Sequence, residues 1–344
     1  MLFIIVNNCT NNKRYFTLET KEIDYLSTCD NILRPELIDY YPLGVNSIMS
    51  YDDYLVLTTS DPSGLLKVYD IEKRSEIVSV CPEGRAINEL INPILIDEQI
   101  YEKDGDIILP IIDNGSILKE INLTKSIISN RAMIAKHTIC ENPVNSSFVL
   151  LNNNVDDLFV LRYPDLTNGG CGLPEVFIEQ NGEQVKKIDV YQKIINGDNR
   201  MDIYSQYLGR LYKHPNKNLI IQPLQSLNYI LFFDIDENRT YAIHQEGSRS
   251  FADNIPDNFN QDYSSLCFGD VAVASDRFFV LYFSRCRANP ELGYKTEILS
   301  FDWNGNCLWG AKIDIELHRI TYNSKQNCLY GINIRQEKLY KISL

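Results

Sequence analysis

The segment Thr296–Trp309, TEILSFDWNGNCLW, decides the fold, because it reads as two short strands joined by a tight turn. The dipeptide Asn304-Gly305 at its centre is the strongest short sequence signal for a two-residue β-hairpin turn. Three other segments repeat the order of apolar strand, polar turn and apolar strand: Leu65–Val80, Ser116–Ile128 and Tyr229–Ile243. The chain therefore predicts a series of similar β-hairpins.

A second pair of apolar runs precedes each hairpin, so the repeating unit has four strands. Before Thr296–Trp309 these runs are Val271–Ala274 and Phe278–Phe283, separated by the polar turn Ser275-Asp276-Arg277. A less regular unit spans Ser147–Val190, and six units in all share the 344 residues. Four-stranded repeats of about 40–70 residues are typical of β-propeller blades.

The last unit is one strand short. Its apolar runs Arg319–Tyr322, Cys328–Ile332 and Lys338–Ser343 supply three strands, and we predict that Arg14–Leu18 supplies the fourth. Such pairing closes the ring and hides two sheet edges. The expected fold is all-β: one six-bladed β-propeller over residues 14–344, with four-stranded antiparallel blades, preceded by a signal- or linker-like segment 1–13. Two β-sandwiches would need a central linker rich in Pro, Gly or Ser, and we find none.

Composition supports this fold and limits the partners. Apolar residues make up 44% of the chain and aromatic residues 11%, and Met occurs only four times, a balance that favours strands over helices. The net charge of −13 argues against a nucleic-acid partner, because phosphate binding needs clustered Lys and Arg. No apolar run approaches the roughly 20 residues that span a bilayer.

The amino terminus suggests a lipid anchor. Leu2–Val6 is apolar and precedes Asn7-Asn8-Cys9, which resembles the end of a bacterial lipoprotein signal with Cys9 as the lipidated residue. Asn7 and Asn8 stand where such signals carry small residues, and the apolar run is shorter than usual. The alternative is that Leu2–Val6 is a packed or frayed terminus. The other eight cysteines form no CxxC pair, so we expect buried thiols rather than a zinc site.

Two stretches resemble the TolB-like six-bladed propellers, a group of uncharacterised envelope lipoproteins of Gram-negative gut anaerobes. Gly84–Glu89 is similar to that family's Gly-Arg-Gly-Pro-x-Glu turn, with Ala86 and Ile87 in place of Gly and Pro. Phe301–Asn306, followed by Tyr330-Gly331-Ile332 and Tyr340-Lys341-Ile342, resembles its carboxy-terminal blades. The resemblance implies a binding or scaffold protein without enzymatic activity, located in the periplasm or on the outer membrane as a lipoprotein.

The candidate ligand-binding residues fall mainly in segments that join an outer strand to the next inner strand, on the face where propellers usually bind ligands. Arg285 and Arg287 form a basic patch in an acidic protein, and with other arginines they are suited to an anionic ligand. The full set of candidates is Arg85, Glu89, His137, His244, Arg249, Arg285, Arg287, His318 and Arg319. No GxSxG or HExxH motif and no Ser/His/Asp arrangement is present, so we predict no catalytic residues, metal ligands or cofactor.

The sequence leaves two functions open. The favoured one is a non-enzymatic ligand-binding or protein-interaction propeller of the cell envelope, taking a protein, peptide or carbohydrate. We expect a monomer that touches a membrane only through a lipid. The alternative is a hydrolase or lactonase-like enzyme with a central metal, suggested by acidic loops such as Asp253–Asp262. Carboxylates converging on the axis would favour the enzyme.

Overall fold

The computed structural model describes residues 16–25, 31–96, 98–115, 117–139, 146–164, 173–192, 207–245, 265–286 and 296–344. Within that part of the chain, residues 136–139, 265–266 and 284–286 are described by their backbone alone. Three short strands come first: β1 (Glu19–Ile23), β2 (Asn31–Leu33) and β3 (Glu36–Ile38). The remaining strands form six sheets around a common axis, which we call blades I to VI.

Blades I to III follow in chain order. Blade I contains β4 (Ser47–Tyr51), β5 (Tyr54–Thr58), β6 (Leu66–Asp70) and β7 (Ser75–Val80). Blade II contains β8 (Pro93–Leu95), β9 (Tyr101–Lys103), β10 (Asp106–Asp113), β11 (Ile117–Asn122), the helix α1 (Leu123–Ser129) and β12 (Ile134–Ile139). Blade III contains β13 (Ser146–Leu151), β14 (Asn154–Arg162), β15 (Glu175–Gln180) and β16 (Glu183–Ile188).

Blades IV to VI include the three amino-terminal strands. Blade IV contains β17 (Tyr212–Lys213), β18 (Leu219–Pro223), β19 (Tyr229–Asp234) and β20 (Arg239–Gln245), with β1 outermost. Blade V contains β21 (Ser265–Val273), β22 (Arg277–Cys286), β23 (Thr296–Asp302) and β24 (Cys307–Ile313), with β2 outermost. Blade VI contains β25 (Arg319–Asn323), β26 (Cys328–Asn333) and β27 (Lys338–Ser343), with β3 outermost. The predicted all-β six-bladed propeller is confirmed.

The strand order gives the ring two distinct ends. Apart from β1, β2 and β3, the first strand of each blade is innermost and the strands that follow run antiparallel outward. In blade II, β8 and β9 share the innermost position, since both pair with β10. The connections between blades, and those from the second to the third strand, therefore all lie at one end, which we call the loop end. The turns from first to second strand, such as Tyr51–Tyr54 and Leu151–Asn154, lie at the other, which we call the turn end.

The hydrophobic core lies between the blades. Within the described residues, the buried apolar side chains form six clusters, and each cluster fills one gap between neighbouring blades. The gap between blades IV and V, for example, holds Phe232, Phe268, Phe278 and Phe301, all essentially without solvent exposure. Because burial of apolar surface drives folding, each blade is stabilised chiefly by its neighbours.

The ring closes through an amino-terminal strand, but not the predicted one. The fourth strand of blade VI is β3, in which Leu37 pairs with Tyr340, whereas Arg14–Leu18 was expected there. Within that range, Phe16 forms an isolated bridge with Tyr191 of blade III. The strand Glu36–Ile38 was missed because it is only three residues long and directly follows Pro35, which suggests a loop.

The described residues 16–25 and 31–41 run around the outer rim of the ring, and we call them the belt. Here β1 pairs parallel with β20 and β2 parallel with β24, while β3 pairs antiparallel with β27. Large side chains of the belt enter four successive gaps, among them Phe16 between blades III and IV, Tyr25 between IV and V, Leu33 between V and VI, and Tyr40 between VI and I. The belt thus adds a strand to three of the six blades and core to four of the six gaps.

Blade II differs from the prediction at its outer edge. Ile127 and Ile128 were expected in a strand, but they lie in α1, and the outer strand is β12. The Asn122 side chain caps α1 by accepting a hydrogen bond from the Lys125 amide at 2.9 Å, and Asn130 ends the helix in the left-handed conformation. These local polar contacts favour a helical turn over the strand that the apolar pair suggested.

Candidate functional site

The topology places the candidate residues of the described chain at the loop end of the ring. Arg85 and Glu89 lie in the connection from blade I to blade II, and His318 and Arg319 lie at the entry to blade VI. The backbone positions of His137 and Arg285 come near the ends of β12 and β22, and both strands run toward the loop end. Their side chains, like all of Arg249, Arg287 and Cys9, lie outside the described residues.

Glu89 holds its own turn together. Its Oε2 accepts a hydrogen bond from the Ala86 amide at 2.8 Å, and its backbone carbonyl accepts one from Lys119 Nζ at 2.7 Å. The Lys119 ammonium also bonds to the buried Asp113 carboxylate at 3.0 Å, which fixes the connection onto blade II. Ala86 and Ile87 are therefore compatible with a tight turn, and the turn leaves Arg85 exposed to solvent.

His244 is buried away from the axis. It lies in β20 between two strands, β19 and β1, and its ring stacks on Tyr229 at a centroid distance of 4.5 Å. Only 7% of its surface is exposed. The structure therefore separates His244 from His318 and Arg319, which line the innermost strand of blade VI.

His318 and Arg319 meet two carboxylates. His318 Nε2 lies 3.5 Å from Glu316 Oε1, and its Nδ1 accepts a hydrogen bond from the Ile334 amide at 3.2 Å. Arg319 Nη1 donates to the His318 carbonyl at 3.2 Å and lies 3.9 Å from the buried Asp270. Arg319 Nε is buried and has no acceptor among the described residues. The Arg319 side chain is 25% exposed in all, so the part of it that solvent or a ligand can reach lies on its other atoms.

Two further arginines, which were not among the predicted site residues, lie at the same end. Arg162 ends β14, and its guanidinium lies over the Phe177 ring at 4.5 Å. Its buried Nε, like that of Arg319, has no acceptor among the described residues. Arg210 lies two residues before the inner strand of blade IV, close to the position that His318 has directly before that of blade VI. Counting strands within each blade would have placed both arginines at the loop end.

The turn end holds a cavity of about 300 Å³ near the axis. Residues from four blades line it, including Tyr51 of blade I, Glu98 and Glu102 of blade II, Asn153 of blade III and Lys213 of blade IV. None of them was predicted as a site residue. From the sequence, a single Lys beside a polar turn is expected to lie on the surface, yet Lys213 is only 4% exposed.

The described residues hold no group of three or more His, Cys, Asp or Glu side chains placed to bind a metal ion. Of the cysteines in this part of the chain, Cys81, Cys267 and Cys328 are buried, and burial raises the pKa of Cys267 to about 12. No helix found within the same residues has the length and apolar character needed to cross a membrane.

Comparison with known proteins identifies the fold alone. No protein-family model matches the chain, and no curated protein matches it either. Among solved structures, an exported-protein candidate of Bacteroides fragilis NCTC 9343 is 12% identical, with a TM-score of 0.54 over 95% of this chain and 98% of that one. A member of the DUF4221 family from Bacteroides vulgatus ATCC 8482 is 10% identical, with a TM-score of 0.54 over 96% and 98%.

Raptor from Chaetomium thermophilum is also similar, at 11% identity and a TM-score of 0.53. The alignment covers 91% of this chain but spans only 29% of Raptor. At such identities these proteins share an architecture with this chain, and architecture by itself does not determine function.

Proposed function

We propose that this protein is a non-enzymatic binding propeller of the bacterial cell envelope, and that it takes an anionic protein, peptide or carbohydrate at its loop end. The observation that carries the proposal is that two partly exposed arginines, Arg162 and Arg319, lie at the loop end of an acidic ring. Their Nε atoms are buried, so an anionic ligand would contact the partly exposed remainder of each side chain.

Other features of the loop end agree with this proposal. Connections between blades vary more freely than strands, and a rigid ring holds them in place, which is the usual arrangement for binding surfaces. The ring is acidic overall, so the arginines of the loop end stand out as the attractive region for an anion. An arginine also offers paired donors that match carboxylate, sulfate or phosphate groups.

A binding screen tests the proposal directly. The purified protein is applied to arrays of acidic and neutral peptides and of sulfated, uronic-acid and neutral glycans. We expect the wild type to bind acidic members of one array. The double variant Arg162→Gln/Arg319→Gln should bind the same members at least tenfold more weakly. The array that responds identifies the ligand class.

The matched control is Arg131→Gln, which removes an exposed arginine from the turn end of blade II and should leave binding unchanged. Equal binding by the wild type and the double variant, or binding confined to neutral ligands, would refute the proposal. Circular dichroism of each variant shows whether the ring is intact.

We further propose that the protein is a TolB-like lipoprotein anchored through Cys9. The support is the apolar run Leu2–Val6 before that cysteine. Mass spectrometry of the native protein extracted from membranes should find a diacylglyceryl-modified Cys9 at the amino terminus. An unmodified Cys9 in that fraction would end this proposal without affecting the binding site at the loop end.

A further inference from the structure

The axial cavity at the turn end has the features of a second site. It encloses about 300 Å³, the lower end of the range for small-molecule pockets. Its lining combines apolar groups, such as Ile100 and Pro215, with the polar groups of Tyr51, Asn153 and Lys213. Because four blades contribute, the cavity exists only in the assembled ring.

Lys213 is the unusual group of this cavity. The residue is 4% exposed, and its Nζ makes one hydrogen bond, to the His214 carbonyl at 3.2 Å. No carboxylate lies within ion-pair distance of it in the described part of the chain. Burial lowers the pKa of Lys213, although the charge of Asp236 opposes this shift. A buried ammonium with two remaining donors is costly unless something satisfies it.

Neighbouring contacts hold Lys213 in place. His214 Nδ1 accepts a hydrogen bond from the Asn216 amide at 2.9 Å, and the imidazole packs against Trp303 of blade V at a centroid distance of 4.7 Å. These contacts fix the carbonyl to which Lys213 is bonded. The amine is thus positioned by a rigid turn, as a binding group needs to be.

Carboxylates stand across the same cavity. Glu98 and Glu102 line it from blade II, and Glu102 is exposed. A ligand with several negative charges would be repelled by these two groups. A small molecule with a carboxylate at one end and an ammonium at the other matches both sides of the cavity.

We propose that the axial cavity binds a free amino acid, whose carboxylate pairs with the Lys213 ammonium and whose amino group faces Glu98 and Glu102. This site lies at the opposite end of the ring from the proposed loop-end site and does not depend on it. The apolar groups Ile100 and Pro215 would accept the side chain of the amino acid.

The test is a titration of the intact protein with each of the twenty free L-amino acids, followed by isothermal calorimetry or ligand-observed NMR. At least one should bind with a Kd below about 1 mM. For the tightest binder, the matched acid without the amino group and the matched amine without the carboxylate should each bind at least tenfold more weakly.

Two variants locate the site. Lys213→Met should weaken amino-acid binding at least tenfold, and replacing a buried charge by an apolar chain is compatible with folding. Glu102→Gln should weaken binding of the amino acid but leave the acid without an amino group unaffected. Lys217→Met, which removes an exposed lysine from the same turn, is the control and should bind as the wild type does.

Several results would overturn the proposal. The proposal is wrong if none of the twenty amino acids binds, or if Lys213→Met binds as tightly as the wild type. It is also wrong if the amino acid and its deaminated acid bind with equal affinity. Loop-end variants should bind amino acids normally, so failure here and failure of the proposed function are separate outcomes.

Discussion

Neighbouring blades are held together by different contacts at their inner and outer edges. At the inner edge, short polar side chains cross to the backbone of the next blade: Asp270 Oδ2 accepts the Ile320 amide at 2.9 Å, and Thr321 Oγ1 accepts the Ser50 amide at 2.9 Å. At the outer edge of blades IV and V, an added strand covers the sheet, and the aromatic rings of Phe16 and Tyr25 enter the gaps beside it.

This difference follows from the shape of the ring. Neighbouring blades approach each other at the axis, so one side chain spans the gap and satisfies an unpaired amide of an edge strand. Blades diverge toward the rim, where the space needs a large apolar group. The inner edge therefore gains stability from hydrogen bonds, and the outer edge gains it from buried apolar surface. Substitutions at each edge should measure these two contributions separately.

The largest effect should come from the outer edge. Tyr25→Ala removes a fully buried ring that packs against Phe268, Tyr282 and Phe301, and should lower the free energy of unfolding by about 3–5 kcal/mol. Urea denaturation followed by fluorescence measures the change. Tyr41→Ala, in an exposed part of the belt, should change stability by about 0.5 kcal/mol or less. Equal effects of the two variants would show that the belt does not stabilise the ring through Tyr25.

A smaller loss is expected at the inner edge. Asp270→Ala leaves the Ile320 amide and the Tyr212 hydroxyl without their acceptor, and should cost about 3 kcal/mol in the same assay. Asp270→Asn keeps one acceptor oxygen and should recover part of this loss. If Asp270→Ala is as stable as the wild type, polar contacts do not stabilise the inner edge.

The smallest effect concerns pH. Burial lowers the pKa of His214, and the charge of Lys217 lowers it further. The unfolded chain therefore takes up a proton near pH 6.5 that the folded ring resists, so stability is full above that pH and falls as the solution is acidified. In His214→Gln, stability measured by urea denaturation should fall less between pH 7 and pH 5. An identical fall in both proteins would contradict this role of His214.

The sequence was sufficient for the regular parts of the fold. Hairpins such as Thr296–Trp309 carry strong local signals, since alternating apolar residues and an Asn-Gly turn specify strand, register and direction together. The belt strands carry no such signal. Asn31–Leu33 and Glu36–Ile38 are too short to show a hydrophobic period. Each forms a strand only by pairing with the outer edge of a blade.

The sites were less predictable for a related reason. Strand order alone brings Arg85, His318 and Arg319 to the loop end, so their position can be predicted by counting the strands of each blade. The environment of a single side chain depends instead on distant contacts. Lys213 shares its cavity with residues that lie about 60 to 160 positions away, such as Asn153 and Tyr51. Its own neighbours in sequence suggest an ordinary surface lysine.

The belt also has a consequence for how the chain is made. The partner of Ile38 is Leu339, which leaves the ribosome about 300 residues later. Until then β3 has no partner strand, and blade VI cannot obtain its fourth strand. Closure of the ring therefore requires β27, and such long-range pairing is slow. A translating ribosome therefore exposes a propeller whose ring is still open.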